Sequence, residues 1–248
     1  MFSDTEFPVG AWVSLSDPAV AEMVAPDAEF VMLDTEHAPN STATIANQIR
    51  AIEAADGDAV PFVRALDNDT GAIKRLLDIG AHGVMVPMVE SADEAREAVA
   101  AARYPPEGNR GVAGTRASAY GRDLGEYVAT ANDDLTLVVQ IETQTGLNRV
   151  EEIAAVDGVD ALFVGPADLS ANLDVFGQFE SDVFREAVER ILDAGERAAT
   201  PVGTLATTPA GVDRYCEWGF DYLIAGTDAG HIRRGVSQMG ERARQNTE

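Results

Sequence analysis

Eight short apolar runs recur along the chain: VGAWVSL, EFVMLDTE, AVPFVRA, GVMVPMV, LTLVVQIE, ALFVGPA, PVGTLA and DYLIAGTD. Most are near-continuous rather than alternating, as parallel strands covered on both faces must be. Segments with helical spacing lie between them, among them STATIANQIRAIEAA, TGAIKRLLDIG, SADEAREAVAAAR and SDVFREAVERILDAG. Several open on a capping residue and close on glycine, as with Ser91 before Asp93 and Glu94, or Gly80 after Asp78. Eight strand–helix repeats with right-handed crossovers close most naturally as a (β/α)8 barrel, here one domain over 1–248. A doubly wound open sheet is the alternative. It wants a glycine-rich phosphate turn after the first strand, and VSLSDPAVAEM has none.

In such a barrel, chemistry gathers where the strands end. The second run ends in Asp34, Thr35, Glu36 and His37, and the third in Arg64. The fifth ends in Gln140 and Glu142, which share a face at period two, and the sixth runs into Gly165, Pro166, Ala167 and Asp168. Glu142 and Asp168 are acids at the ends of strands buried on both faces. An unpaired charge there costs several kcal/mol, so the two point to a shared cation. Helix caps, or an ion pair to Arg64, are the simpler readings of the same two acids. Arg64 itself could be only a clamp on the acids, and His37 an ordinary loop histidine.

Two carboxylates without thiolates suit Mg2+ or Mn2+, with Co2+ a further candidate, all of which leave positions open for a chelating 2-oxo acid. With such an ion in place, Arg64 is suited to steady a developing oxyanion and His37 to act as general base. Imine chemistry would need a lysine on a barrel strand, and the only lysine, Lys74, falls in a helical segment. The lone cysteine, Cys216, excludes an internal disulfide and a thiolate cluster, and is read as core packing. His82, at the start of the fourth strand, and His231, in the last helix, are read as structural.

Charge narrows the partners. The chain carries 42 Asp and Glu against 18 Lys and Arg, a net charge of -24. Such a surface repels nucleic acid and anionic membranes, and its acids in place of lysines suggest adaptation to high salt. No apolar run approaches the about 18 residues of a membrane span, and MFSDTEFP has no targeting pattern, so a cytoplasmic location is expected. One connection is unusually long, from Tyr104 to Asp134, and connections of that length usually carry function.

The motifs GAWVSLSDPAVAEM, LDTEHAPN, PFVRALDND, IKRLLDIGAHGVMVPMV, ARYPPEGNRGV, QIETQTGLNRVEEIAAVDGVDALFVGPADLS and GFDYLIAGTD cover nearly the whole chain. Together they resemble the HpcH/HpaI aldolases, metal-dependent class II pyruvate aldolases. The resemblance implies a TIM barrel that cleaves a 4-hydroxy-2-oxo acid, such as a 2-keto-3-deoxy sugar acid, to pyruvate and an aldehyde. It implies Glu142 and Asp168 as metal ligands, His37 as base through water, and Arg64 as the enolate stabiliser. Only through the resemblance is Asp78, otherwise a solvated helix acid, assigned to raising the basicity of the histidine. Gln140 and the Ala167 N–H, with Gly165 and Pro166 beside it, are likewise implied to bind pyruvate. The resemblance also implies a homo-oligomer, a hexamer built as a trimer of dimers, and places the long connection near the aldehyde end of the site. Oxaloacetate decarboxylation, citrate-lyase-like acyl-CoA cleavage and a non-catalytic sugar-acid-binding barrel are the other readings.

Overall fold

The computed structural model describes residues 7–246, so MFSDTE and the last two residues lie outside it. Each apolar run becomes one strand: β1 (Val9–Val13), β2 (Phe30–Asp34), β3 (Val60–Arg64), β4 (Gly83–Val86), β5 (Thr136–Ile141), β6 (Ala161–Val164), β7 (Val202–Ala206) and β8 (Tyr222–Thr227). All pair in parallel with their sequence neighbours, and β8 returns to β1 to close the barrel. The first half of the chain supplies α1 (Pro18–Val24), α2 (Thr42–Ala54), α3 (Thr70–Asp78), α4 (Ala92–Ala102) and α5 (Leu124–Asp134). Two short helices, α6 (Gln144–Asn148) and α7 (Val150–Ala154), follow β5, while α8 (Pro166–Asn172) and α9 (Asp182–Ala198) follow β6. The last two are α10 (Pro209–Trp218) and α11 (Asp228–Gln245). None of the described helices is long and apolar enough to cross a membrane.

Side-chain alternation along the strands divides the interior in two. Val31, Leu33, Val63, Val84, Leu137, Val139, Leu162 and Val164 face outward into one large cluster with the helices. Trp12, Phe30, Met32, Phe62, Met85, Val138, Phe163, Tyr222 and Ile224 face inward and fill the barrel. Three inward positions are glycine for want of space: a Cβ at Gly10, Gly83 or Gly203 would run into the rings of Phe30, Phe62 and Tyr222 respectively. Both strand faces are therefore buried, which explains the near-continuous apolar runs. The helices begin on side-chain caps as their sequences suggest, Ser41 accepting from the Thr44 N–H and Ser91 from the Glu94 N–H.

Two expectations need correction. Cys216 is exposed on α10, because the neighbouring Tyr215 takes the buried position on that helix. The long connection joins the end of α4 to the start of β5, so topology places it at the base of the barrel, where strands begin. There it folds as a short 3-10 turn, Arg116–Gly121, followed by α5. Arg116 ties the turn to Glu53 and to the Ile79 carbonyl at the end of α3. Within one copy of the chain, this connection does not reach the mouth.

Candidate active site

The mouth is built on the inward-facing phase of the strands. Asp34 and Arg64 are direct partners in the β2–β3 register, which makes their ion pair a consequence of strand alignment. Arg64 donates from Nε to Asp34 Oδ1 at 2.9 Å and from Nη2 to Oδ2 at 2.8 Å, a bidentate pair with both residues buried. Its Nη1 lies 2.6 Å from Glu36 Oε2, and its guanidinium sits 4.6 Å from the centre of the Trp12 ring. Burial pushes the Glu36 carboxyl up, and Arg64 opposes that. Arg64 thus clamps Asp34 and Glu36 rather than Glu142 and Asp168. Two of its five N–H donors go to Asp34, while the contact to Glu36 is an ion pair without a hydrogen bond, so Nη1 keeps both hydrogens and Nη2 keeps one.

Glu142, one residue past β5, is only 2% exposed. Its Oε1 accepts from the Met88 N–H at 2.9 Å and its Oε2 from Gln140 Nε2 at 2.5 Å. Met88 follows β4 in a left-handed backbone conformation (φ 55°), uncommon for a side chain of its size, and this turn delivers the N–H to Glu142. Desolvation pushes the Glu142 carboxyl up to about 7, with the Asp168 and Glu36 charges adding to the rise. Gly165, at the end of β6, has no Cβ because one would collide with Glu142 Oε2 and Gln140 Nε2. The same packing leaves Gln140 Oε1 buried and without a hydrogen-bond partner.

Asp168 lies in the first turn of α8, after Gly165 at the cap and Pro166 at the first helical position. Both Asp168 and Ala167 are exposed. His37 is on the loop after β2 with its side chain 67% exposed, its Nε2 3.7 Å from Glu36 Oε2. A cavity of 460 Å³ is lined by His37, Arg64, Gln140 and the Gly165–Asp168 turn, with Trp12 and Phe163 among its apolar walls. Its size suits a small organic acid.

A divalent cation fits this donor set. No cluster of three or more potential metal-binding side chains occurs among the described residues. Two carboxylates alone leave positions for water and substrate, the usual arrangement for Mg2+ or Mn2+. Among the described residues Glu142 has no ion-pair partner, Arg64 only partly offsets its burial, and the charge of Asp168 raises its pKa further. A metal between the two would relieve the buried charge of Glu142.

All but one of the singled-out residues meet at this mouth. Asp78 ends α3 at the opposite end of the barrel, where Arg110 Nη2 lies 3.2 Å from its Oδ1. The sequence-only reading of Asp78 as a freely solvated acid is also corrected, since Arg110 is almost fully buried against it. His82 begins the base-side approach to β4, and His231 bonds the Ala225 carbonyl at 2.8 Å; both are structural contacts. Trp12 beneath Arg64, the Met88 N–H, and Thr208 and Arg214 in the outer cavity wall were not singled out from sequence. Of these, only Trp12 falls in a run that the sequence marks, VGAWVSL.

Residues 9–235 match the family HpcH/HpaI aldolase/citrate lyase. The chain belongs to that family. Among its relatives, a hydroxypyruvate/pyruvate aldolase of Delftia acidovorans is 41% identical over 91% of this chain and 84% of its own. A 5-keto-4-deoxy-D-glucarate aldolase of Escherichia coli is 38% identical over 94% of this chain and 91% of its own. A crystal structure of an HpcH/HpaI aldolase/citrate lyase family protein from Burkholderia cenocepacia superposes with a TM-score of 0.94 at 38% identity. That match covers 98% of this chain and 97% of the other. The closed eight-stranded barrel is therefore the HpcH/HpaI fold, as the sequence motifs implied.

Proposed function

We propose that the chain is a carbon–carbon lyase, one catalytic domain over 1–248, that reversibly cleaves a 4-hydroxy-2-oxo acid to pyruvate and an aldehyde. A 2-keto-3-deoxy sugar acid is the substrate class, in keeping with the activities named for its relatives. The observation that carries this reading is Glu142: a buried carboxylate with no ion-pair partner among the described residues, beside Asp168 and in one mouth with Arg64 and His37.

Glu142 and Asp168 would hold Mg2+ or Mn2+, which acts as a Lewis acid toward a chelating 2-oxo acid. Gln140 and the Gly165–Pro166–Ala167 turn cradle the pyruvate end. His37, through a water, takes the proton of the C4 hydroxyl. The C3–C4 bond then breaks, its electron pair passes into the enolate, and C4 leaves as the aldehyde carbon. Arg64, held flat by Asp34 and stacked on Trp12, offers its remaining N–H hydrogens to the enolate oxygen. Protonation at C3 completes pyruvate.

Asp78 can act on His37 only across a contact between copies, because within one chain the two lie at opposite ends of the barrel. A homo-oligomer is part of the reading for that reason. The helix α11 supports it by exposing Ile232, Val236 and Met239 along one stripe.

The test is exchange of the methyl protons of pyruvate in D2O with Mg2+ or Mn2+ added. Exchange is expected to stop in EDTA and in Glu142→Gln and Asp168→Asn. Exchange that survives any of these overturns the metal-dependent reading. Sedimentation at micromolar concentration reads the assembly, and a monomer would remove Asp78 from the mechanism.

A further inference from the structure

The connection from Tyr104 to Asp134 is the one long segment that the proposed chemistry leaves without a task. Two of its arginines close on the end of α3. Arg116 Nη1 donates to the Ile79 carbonyl at 3.0 Å and fixes the backbone there. One residue earlier, Arg110 Nη2 donates to Asp78 Oδ1 at 3.2 Å. A chain with 18 Lys and Arg against 42 acids has few cations to place, and two of them hold this helix end.

Arg110 is held from every side. Its side chain is 1% exposed, and its guanidinium lies 4.5 Å from the centre of the Tyr104 ring and 5.7 Å from that of Tyr127. Nη2 also donates to the Tyr127 hydroxyl at 3.1 Å. The two rings are fixed in turn. They meet edge to face, and the Asn132 side chain bonds the Tyr104 N–H at 2.7 Å and the Tyr104 carbonyl at 3.0 Å. Tyr127 and Asn132 both belong to α5, so the helix inside the long connection sets the guanidinium in place.

The grip on Asp78 is nevertheless partial. Arg64 takes both oxygens of Asp34, at 2.9 and 2.8 Å. Arg110 meets Asp78 through one nitrogen and one oxygen, while its own Nε stays buried without a hydrogen-bond partner. Oδ2 of Asp78 has no partner among the described residues, and the side chain is 18% exposed. A pair built for stability alone would close on both oxygens. This one orients the carboxylate and keeps half of it for another donor. We propose that Arg110 is a positioning residue for Asp78, holding Oδ1 so that Oδ2 is presented to the partner's His37, and that the long connection folds at the base to carry it. The inference rests on the aldolase reading above, in which Asp78 acts across a contact between copies.

The experiment is a double-mutant cycle on kcat for the Mg2+-dependent addition of pyruvate to glycolaldehyde, run on the assembled protein. Asp78→Asn should lower kcat about 10- to 100-fold and Arg110→Gln about 10-fold, each with KM for pyruvate little changed. In the Asp78→Asn background, Arg110→Gln should cost nothing further, because a residue that acts only through Asp78 has nothing left to position. Tyr127→Phe keeps the ring and removes the hydroxyl bonded to Arg110. It should show the same dependence on Asp78 with a smaller loss, and it carries the test if Arg110→Gln does not fold. A loss that persists undiminished in the Asp78→Asn background overturns the proposal, as does dissociation of the assembly by both variants in sedimentation. If Asp78→Asn slows the reaction while Arg110→Gln and Tyr127→Phe do not, the positioning role fails and the aldolase reading stands. If Asp78→Asn changes nothing, Asp78 leaves the mechanism and the proposal falls with it. If the wild-type chain shows no such addition, the aldolase reading and the proposal fail together.

Discussion

Glu142 at the mouth and Asp160 at the base are both strand-end carboxylates that accept one backbone N–H, from Met88 at 2.9 Å and from Leu137 at 2.7 Å. Burial pushes both pKa values up. They differ in their remaining neighbours. Asp160 has Arg103 Nη2 at 2.7 Å, whereas Glu142 has the like charges of Asp168 and Glu36. The base repeats its own pattern: Asp78 meets Arg110, and Asp221 takes the Val202 N–H at 2.8 Å. Its acids are matched by the chain itself. The acid at the mouth has no ion-pair partner among the described residues, although Arg64 lowers its pKa somewhat, and such a perturbed buried acid is the kind of group that gathers at binding sites.

The sharpest break of this contrast is Glu142→Gln. It should abolish metal-dependent exchange, and it should also raise the melting temperature of the metal-free protein at alkaline pH, since a costly buried charge is gone. A fall in that melting temperature would mean that Glu142 is already satisfied. Next, Arg64→Ala leaves Asp34 buried and alone, and denaturant titration should show a loss of about 3–5 kcal/mol. The double variant Asp34→Ala, Arg64→Ala should recover part of it. A double variant no more stable than the single would show that the ring contact to Trp12, and not the charge pair, holds the mouth.

The pH dependence separates the two acids next. The folded pKa of Glu142, about 7, lies above its ordinary 4.5, a difference of about 3 kcal/mol. Its contribution to stability is therefore whole below the ordinary value and is lost as pH rises through about 7. A divalent cation takes the ionised form, so Mg2+ should raise the melting temperature more at about pH 8 than at about pH 6. The same rise at both would remove Glu142 as a ligand.

Smaller effects follow at the base and on the surface. Arg103→Gln should turn Asp160 into an unmatched acid at a cost of about 2 kcal/mol, with no gain in Mg2+ response, read by the same melting curves. Finally, molar KCl should raise the melting temperature by several degrees over low salt, because screening relieves the repulsion among exposed acids. A melting temperature independent of KCl would dismiss the reading of the charge balance as adaptation to salt.

The barrel was legible in sequence because burial on both faces leaves an unbroken apolar run for every strand, and all eight runs became strands. Residues at the strand ends were legible for the same reason: a polar side chain there interrupts the pattern. Partnerships were not. That Arg64 lies opposite Asp34 depends on strand register, which one sequence does not display. The place of the long connection was not legible because length signals importance but not location. It joins a helix to a strand, and that alone puts it at the base. Cys216 misled because one step along α10 separates the buried Tyr215 from an exposed position.

The rings of Phe30, Phe62 and Tyr222, fitted against glycines below the mouth, and that of Phe163 beside Tyr222 leave the barrel a cup rather than a tube. Traffic through a cup is last in, first out. On the proposed reading, the fragment beside Gln140 and Glu142 would lie deepest and could not depart past the one above it. In the cleavage direction the aldehyde should therefore exit first and pyruvate second, and product-inhibition patterns would carry that order as their imprint.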